Sequence, residues 1–384
     1  MQEYTLRSEH ATTVALDQHA RSVTLAALDL ATGETRSGRL ADCPSAGAIV
    51  GWADWATRPL RFVYESGPCG FQLAREIRAM GVDCDIIAVT SIPRSAEARR
   101  FKDDRRDAQS LLEAVTAPNS KCKAVYVPRE ESEAARDLCR AYYDVVLATK
   151  RLKMQFSAML LRHGFVWNER TPGGNLKKTW TPAWRKWALS CDLGDPMSNM
   201  AMRAGVEMVE RMERSAEELA KAVAAEAEKP RWKPYVDALT RLKGVDVQTA
   251  FLACAEFGDF SRFRSGRRVS RWIGCTSSED STGDNRRQGK ITKEGSSHLR
   301  RALVEGISTI SRRTAHKKRL RPGHEVSPQV EDIALEANAR LKKRYDALKR
   351  AKKHTNVAKV AVVSEMARWM WAIGLQVQRE LASA

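Results

Sequence analysis

The first third of the chain carries a β pattern. Apolar runs over residues 13–17, 23–30 and 35–40 read as three strands, and Ala31-Thr32-Gly33-Glu34 is the turn between the last two. The pattern then alternates. A helix is expected over 45–55, a strand over 60–64, a helix over 70–80, a strand over 84–89 and a helix over 104–115. Three meandering strands followed by strand–helix alternation predict an α/β layer with a mixed sheet. The middle changes period. Residues 132–163 form one uninterrupted helical run, and residues 205–229 a second, with the Glu/Lys alternation of exposed or coiled helices. Between them, residues 167–196 set Trp180, Trp184 and Trp187 among Lys177, Lys178, Arg185 and Lys186. Such a segment is either a compact insert with its own small core or an aromatic–basic surface for nucleic acid. The last third is helical: 235–242 and 247–256 joined at Gly244, then 327–349 and 355–378. The expected division is an α/β domain at 1–128, a helical spacer at 129–230 and an all-α domain at 231–384.

Charge sharpens this outline. The 384 residues are 43% hydrophobic and carry a formal net charge of +18, which attracts polyanions. The excess is local as well as global. Residues 261–322 hold 17 Lys/Arg against five Asp/Glu, which places a phosphate-facing surface there. Arg267, Arg268, Arg286, Arg287, Lys290, Lys293, Arg300 and Arg301 are its candidate contacts. No apolar run is long enough to span a membrane, and the N-terminus lacks the apolar core of a signal peptide. The eight cysteines are scattered without CxxC spacing, which argues against zinc and suits a reducing cytoplasm.

Candidate chemistry lies in carboxylates at element ends. Asp17 ends the first strand and Glu65 ends the strand over 60–64, each after residues expected to be buried. Asp104 and Asp107, three apart at a helix start, share a side. Four carboxylates from three elements suit a hard, oxygen-ligated cation such as magnesium. They also fit a plainer reading, in which the helix pair caps and the strand-end pair is ordinary.

A strand-end Asp in the first hairpin, Glu65-Ser-Gly, and Lys102-Asp-Asp104-Arg-Arg-Asp107-Ala together resemble the DEDD transposases of bacterial insertion sequences. The particular likeness is to the insertion-sequence family numbered one hundred and ten, whose recombinases are guided by a bridge RNA. That resemblance implies an RNase H-like, Holliday-junction-resolvase-like N-terminal domain, with Asp17, Glu65, Asp104 and Asp107 as a magnesium-binding tetrad. Further on, Ser281-Thr282-Gly283 precedes Arg286-Arg-Gln-Gly-Lys290-Ile-Thr-Lys293, similar to the family's serine loop and basic segment. The resemblance makes Ser281 the nucleophile that forms a phosphoserine link to DNA, with Thr282 its near rival; composition alone allows a polar surface turn. Residues 242–250 resemble a helix-hairpin-helix turn, and an ordinary helical hairpin fits the local sequence equally well. Residues 168–199 look like an insertion in the family's spacer.

The resemblance further implies donor DNA, target DNA and an element-encoded guide RNA as partners. It implies a tetramer built as a dimer of dimers and a cytoplasmic, nucleoid-associated location. A hydrolytic, resolvase-like magnesium nuclease is the alternative. A non-catalytic nucleic-acid-binding protein is a third class, against which the buried carboxylates argue.

Overall fold

The computed structural model of this chain describes residues 10–93, 104–279, 288–310 and 322–383. The chain divides into two compact units, Met1–Pro128 and Arg129–Ala384.

The first unit is built on a five-stranded sheet. Its strands are β1 (Thr12–Gln18), β2 (Val23–Asp29), β3 (Thr35–Leu40), β4 (Leu60–Glu65) and β5 (Asp83–Ile87), in spatial order β3-β2-β1-β4-β5. β1, β2 and β3 pair antiparallel, whereas β1–β4 and β4–β5 pair parallel. The continuous apolar runs of β1, β2 and β4 follow from coverage on both faces. One face packs Val14, Leu16, Leu25, Phe62, Tyr64 and Ile86 against α1 (Ala46–Gly51) and α2 (Gln72–Ala79). The other packs Ala15, Ala26, Val63 and Ile87 against Ala108, Leu111, Leu112 and Val115 of α3 (Asp104–Thr116). Small residues at Ala15 and Ala26 let α3 lie close over β1 and β2.

The second unit is helical. α4 (Glu130–Arg162) and α6 (Pro196–Ala227) form a long pair, with α5 (Pro182–Ser190) between them in sequence. They run antiparallel, because the start of α4 (Ala135, Cys139) and the end of α6 (Val223, Ala227) enter the main core. The end of α4 (Leu160) and the start of α6 (Met202, Val206, Val209) instead form a separate small core with Trp180, Trp184 and Ala188. The tryptophan segment is thus a compact insert: Trp180 and Trp184 are buried with ring centroids 4.3 Å apart, and Trp180 Nε1 donates to Ser157 Oγ at 3.0 Å. α6 begins nine residues before the expected 205. Asp195 caps it by accepting from Met197 N at 2.7 Å, and Pro196 occupies the first turn, where its missing N–H costs nothing.

The remaining elements are α7 (Lys233–Thr240), α8 (Val247–Phe257), α9 (Gly266–Trp272), the hairpin β6 (Ser277–Glu279) and β7 (Gln288–Ile291), α10 (Ser297–Ile310), α11 (Pro328–Arg350) and α12 (Thr355–Ser383). The α7–α8 turn is a close joint. Gly244 has φ +83°, and a Cβ there would strike the backbone of Gly306 on α10, as one at Gly306 would strike Gly244. Lys243 N donates to Asn338 Oδ1 at 2.8 Å, and Arg241 makes a buried, two-pronged ion pair with Glu331 at 2.6 and 2.8 Å. Both partners lie on α11, so the turn is held from two sides. Among the described residues, no helix is long and apolar enough to cross a membrane.

Candidate active site and nucleic-acid interface

In the first unit the sheet register positions the carboxylates. Leu16 of β1 lies beside Tyr64 of β4 in a parallel pair, so Asp17 and Glu65 follow on neighbouring strands, about 4.8 Å apart in the pairing direction. Side chains alternate along a strand, which puts Asp17 on the face of Ala15 and Glu65 on that of Val63, the face α3 covers. Asp17 is 23% exposed and its Oδ2 lies 3.1 Å from His19 Nε2. The loop after β4 folds back over this edge: Cys69 Sγ donates to Gln18 O at 3.4 Å, and Tyr64 Oη donates to Gly70 O at 3.0 Å.

α3 opens at Asp104, and Asp107 sits half-buried one turn in, next to buried Ala108. The side chain of Asp104 lies outside the described residues. The structure therefore sets Asp17 beside Glu65 and puts Asp107 on the helix that covers their face. Among the described residues, no three His, Cys, Asp or Glu side chains converge closely enough to hold a metal ion.

Two residues here were not singled out by the sequence. His19 contacts Asp17 from two positions along. Asp29, at the end of β2, is 2% exposed and accepts backbone N–H groups from Thr57 (2.9 Å), Ala31 (2.9 Å) and Thr32 (3.3 Å). The Thr57 bond leads in holding its carboxyl down to about 2, against the opposing pull of burial. Asp29 is a structural staple that ties the β2–β3 turn to the loop before β4. Its signal, an Asp two residues before a turn, was present in Asp29-Leu-Ala-Thr-Gly33.

In the second unit the serine region has a defined frame. Ser281, Thr282, Arg286 and Arg287 lie outside the described residues, between β6 and β7. At the hairpin base, Gly274 and Gly295 both take positive φ, and a Cβ on Gly274 would strike Glu294, one on Gly295 the carbonyl of Trp272. Arg300 Nη1 donates to the carbonyls of Ile273 (3.1 Å), Glu294 and Gly295 (3.2 Å). Burial lowers the pKa of this guanidinium. Arg300, expected at the phosphate surface, thus clamps the two ends of the hairpin.

The clamp is seated on the helical core. Ser296 Oγ donates to Glu256 Oε1 at 2.9 Å, and buried Glu256 also takes Arg140 Nη2 at 2.9 Å and lies 3.7 Å from Arg136 Nε. Unpairing a buried carboxylate of this kind costs about 3–5 kcal/mol, so α4, α8 and the start of α10 are tied at one point. Around the frame, Arg267, Lys290, Lys293 and Arg301 are exposed and Arg268 is half-buried.

Residues 236–321, spanning the α7–α8 joint, the hairpin and α10, match the model of the transposase IS116/IS110/IS902 family. The transposase-named y4qE protein of Sinorhizobium fredii is 35% identical over 321 residues, covering 83% of this chain and 76% of its own. A family 20 transposase of Pseudomonas aeruginosa is 25% identical over 302 residues, 78% of this chain and 79% of its own. The transposase for insertion sequence element IS1533 of Leptospira borgpetersenii is 27% identical over 206 residues, 54% and 57% of the two chains.

These matches define the class as insertion-sequence transposases, enzymes that cut and rejoin DNA. The chain belongs to the IS116/IS110/IS902 transposase family.

Proposed function

We infer that this transposase exchanges DNA strands through a covalent serine intermediate, aided by a magnesium-binding tetrad of Asp17, Glu65, Asp104 and Asp107. The observation that carries the reading is the register that sets Asp17 beside Glu65 under α3, the helix that begins with the other two aspartates. The sheet order β3-β2-β1-β4-β5, antiparallel on one side and parallel on the other, supports an RNase H-like first domain. Carboxylate oxygens suit a hard cation; bound there, magnesium would offset charge building on the scissile phosphate.

Ser281 supplies the other half of the chemistry. Its Oγ attacks the phosphorus as its proton passes to a base or solvent. The P–O bond to the leaving deoxyribose oxygen breaks, and that oxygen takes up a proton. The phosphoserine ester keeps the energy of the broken phosphodiester, so a strand hydroxyl can reverse the attack, rejoin DNA and restore the serine. Arg267, Arg268, Arg286, Arg287, Lys290, Lys293 and Arg301 supply phosphate contacts around the hairpin. The family likeness adds an element-encoded guide RNA, donor and target DNA as partners, and assembly as a dimer of dimers, so that pairing rather than side chains sets the target.

The test compares three proteins on a joined donor–target substrate with guide RNA. Ser281→Ala and Asp104→Ala should both lose recombinant product while still binding nucleic acid. Full strand cleavage by Ser281→Ala, with free ends, would replace this reading with hydrolytic resolution. Normal recombination by Asp104→Ala would remove the tetrad.

A further inference from the structure

A second cationic surface lies at the corner between α11 and α12, beyond the family-matched residues 236–321 and beyond the basic stretch at 261–322. Earlier on α11 three cations are neutralised. Arg340 and Arg344 both pair with Glu365 of α12, the latter at 3.2 Å, and Lys342 pairs with Asp346 at 2.8 Å. At the corner this stops. Lys349, Arg350, Lys352 and Lys353 are all exposed, and among the described residues none has a carboxylate partner. Lys349 Nζ reaches only the hydroxyl of Thr355, at 2.9 Å. On α6, by contrast, two exposed cations sit in pairs one turn apart, Lys221 with Glu217 at 2.9 Å and Arg211 with Glu207 at 4.0 Å.

Folding does not account for the cluster. Lys349 and Arg350 suit the negative end of α11, but Lys352 and Lys353 immediately precede the positive end of α12, which has no acidic residue in its first turn. Cations placed there oppose the helix dipole, and like charges crowd one turn of chain. Local rules broken without a compensating contact mark functional surface. The corner also exposes no Phe, Tyr or Trp: Tyr345, the one such residue between 340 and 359, is buried, and the single exposed ring is His354. Four cations with one small ring among them fit the phosphates of a duplex better than the splayed bases of a single strand. Lys359 Nζ donates to Ser308 Oγ at 2.7 Å, so the start of α12 is fixed against α10 and the corner is a rigid part of the second unit.

We propose that this α11–α12 corner is a second docking surface for the sugar–phosphate backbone of duplex DNA, separate from the surface around the hairpin. It rests on the reading that the chain handles duplex DNA.

The experiment uses the full-length protein and a short duplex of arbitrary sequence, with affinity measured at several salt concentrations. The quadruple variant Lys349→Gln, Arg350→Gln, Lys352→Gln, Lys353→Gln should flatten the slope of log affinity against log salt by about 3–4, since each phosphate contact contributes about 0.9. A control neutralising Arg203, Arg211, Arg214 and Lys221 on α6 removes the same charge and should change the slope by less than about 1. Matching thermal melts would show that both variants fold. Equal slopes for the variant and the control would overturn the proposal while leaving the transposase reading intact. Loss confined to a single-stranded RNA probe would overturn it in favour of RNA. Wild-type protein that showed no salt-dependent duplex binding would overturn both.

Discussion

The two units present their candidate chemistry in opposite ways. In the first, the proposed metal-binding carboxylates sit on the rigid elements themselves: Asp17 and Glu65 are strand residues fixed by the β1–β4 register. In the second, the described residues on either side of the proposed serine are pinned. Gly274, Gly295 and Arg300 close the base of the hairpin, and Ser296 and Glu256 seat that base on the helical core. The first arrangement suits groups that must converge on one ion, where displacements of half an ångström matter. The second suits a nucleophile delivered on a connection whose two ends are pinned.

The largest effect is expected at the proposed nucleophile. Ser281→Ala should lower recombination on the order of 10⁴-fold or more, as removal of a nucleophile does, with the melting temperature unchanged. Asp17→Asn should follow, losing roughly 10³-fold or more in magnesium. Because its register is set by backbone pairing, its circular dichroism and melting curve should match wild type. An Asp17→Asn protein with near-normal recombination would reduce the first unit's strand edge to scaffolding.

Stability responds at different places. Gly244→Ala meets both a positive φ and the backbone of Gly306, and should destabilise the second unit by about 3 kcal/mol, read by thermal melting. A shift within error would mean that the α7–α8 joint yields. The smallest effect is in the first unit and depends on pH. The Asp29 carboxyl is held at about 2 against an ordinary 3.8. Its contribution is therefore complete above about pH 3.8 and lost as pH falls through 2. Asp29→Asn should remove this part of the acid sensitivity of the first unit, measured as the pH dependence of its unfolding midpoint. An unchanged acid profile would show that the three N–H bonds do not set it.

These contrasts also explain what the sequence made legible. Strand and helix periods are local properties, and they read directly, as does the position of Asp17 and Glu65 at strand ends. The tryptophan cluster had two readings because burial depends on what α4 and α6 bring to it. The start of α6 was missed since Asp195-Pro196 looked like the end of a loop rather than a cap. The bonds from Arg300 to three carbonyls were not legible, because nothing local says that they turn toward it; that requires the chain reversals at Gly274 and Gly295. Asp29 and Asp17 look alike in sequence, each a carboxylate at a strand end, and only the turn geometry makes Asp29 a staple.

The most direct test of the central claim is to identify the residue that carries DNA. Wild-type protein is reacted with a nicked substrate that traps the cleaved strand, then denatured, digested and sequenced by mass spectrometry. The expected result is a nucleotide adduct on the peptide containing Ser281, on Ser281 itself, and none in the Ser281→Ala protein. An adduct on Thr282 would move the role by one residue. Cleaved strands with free ends and no adduct on any peptide would contradict the covalent mechanism.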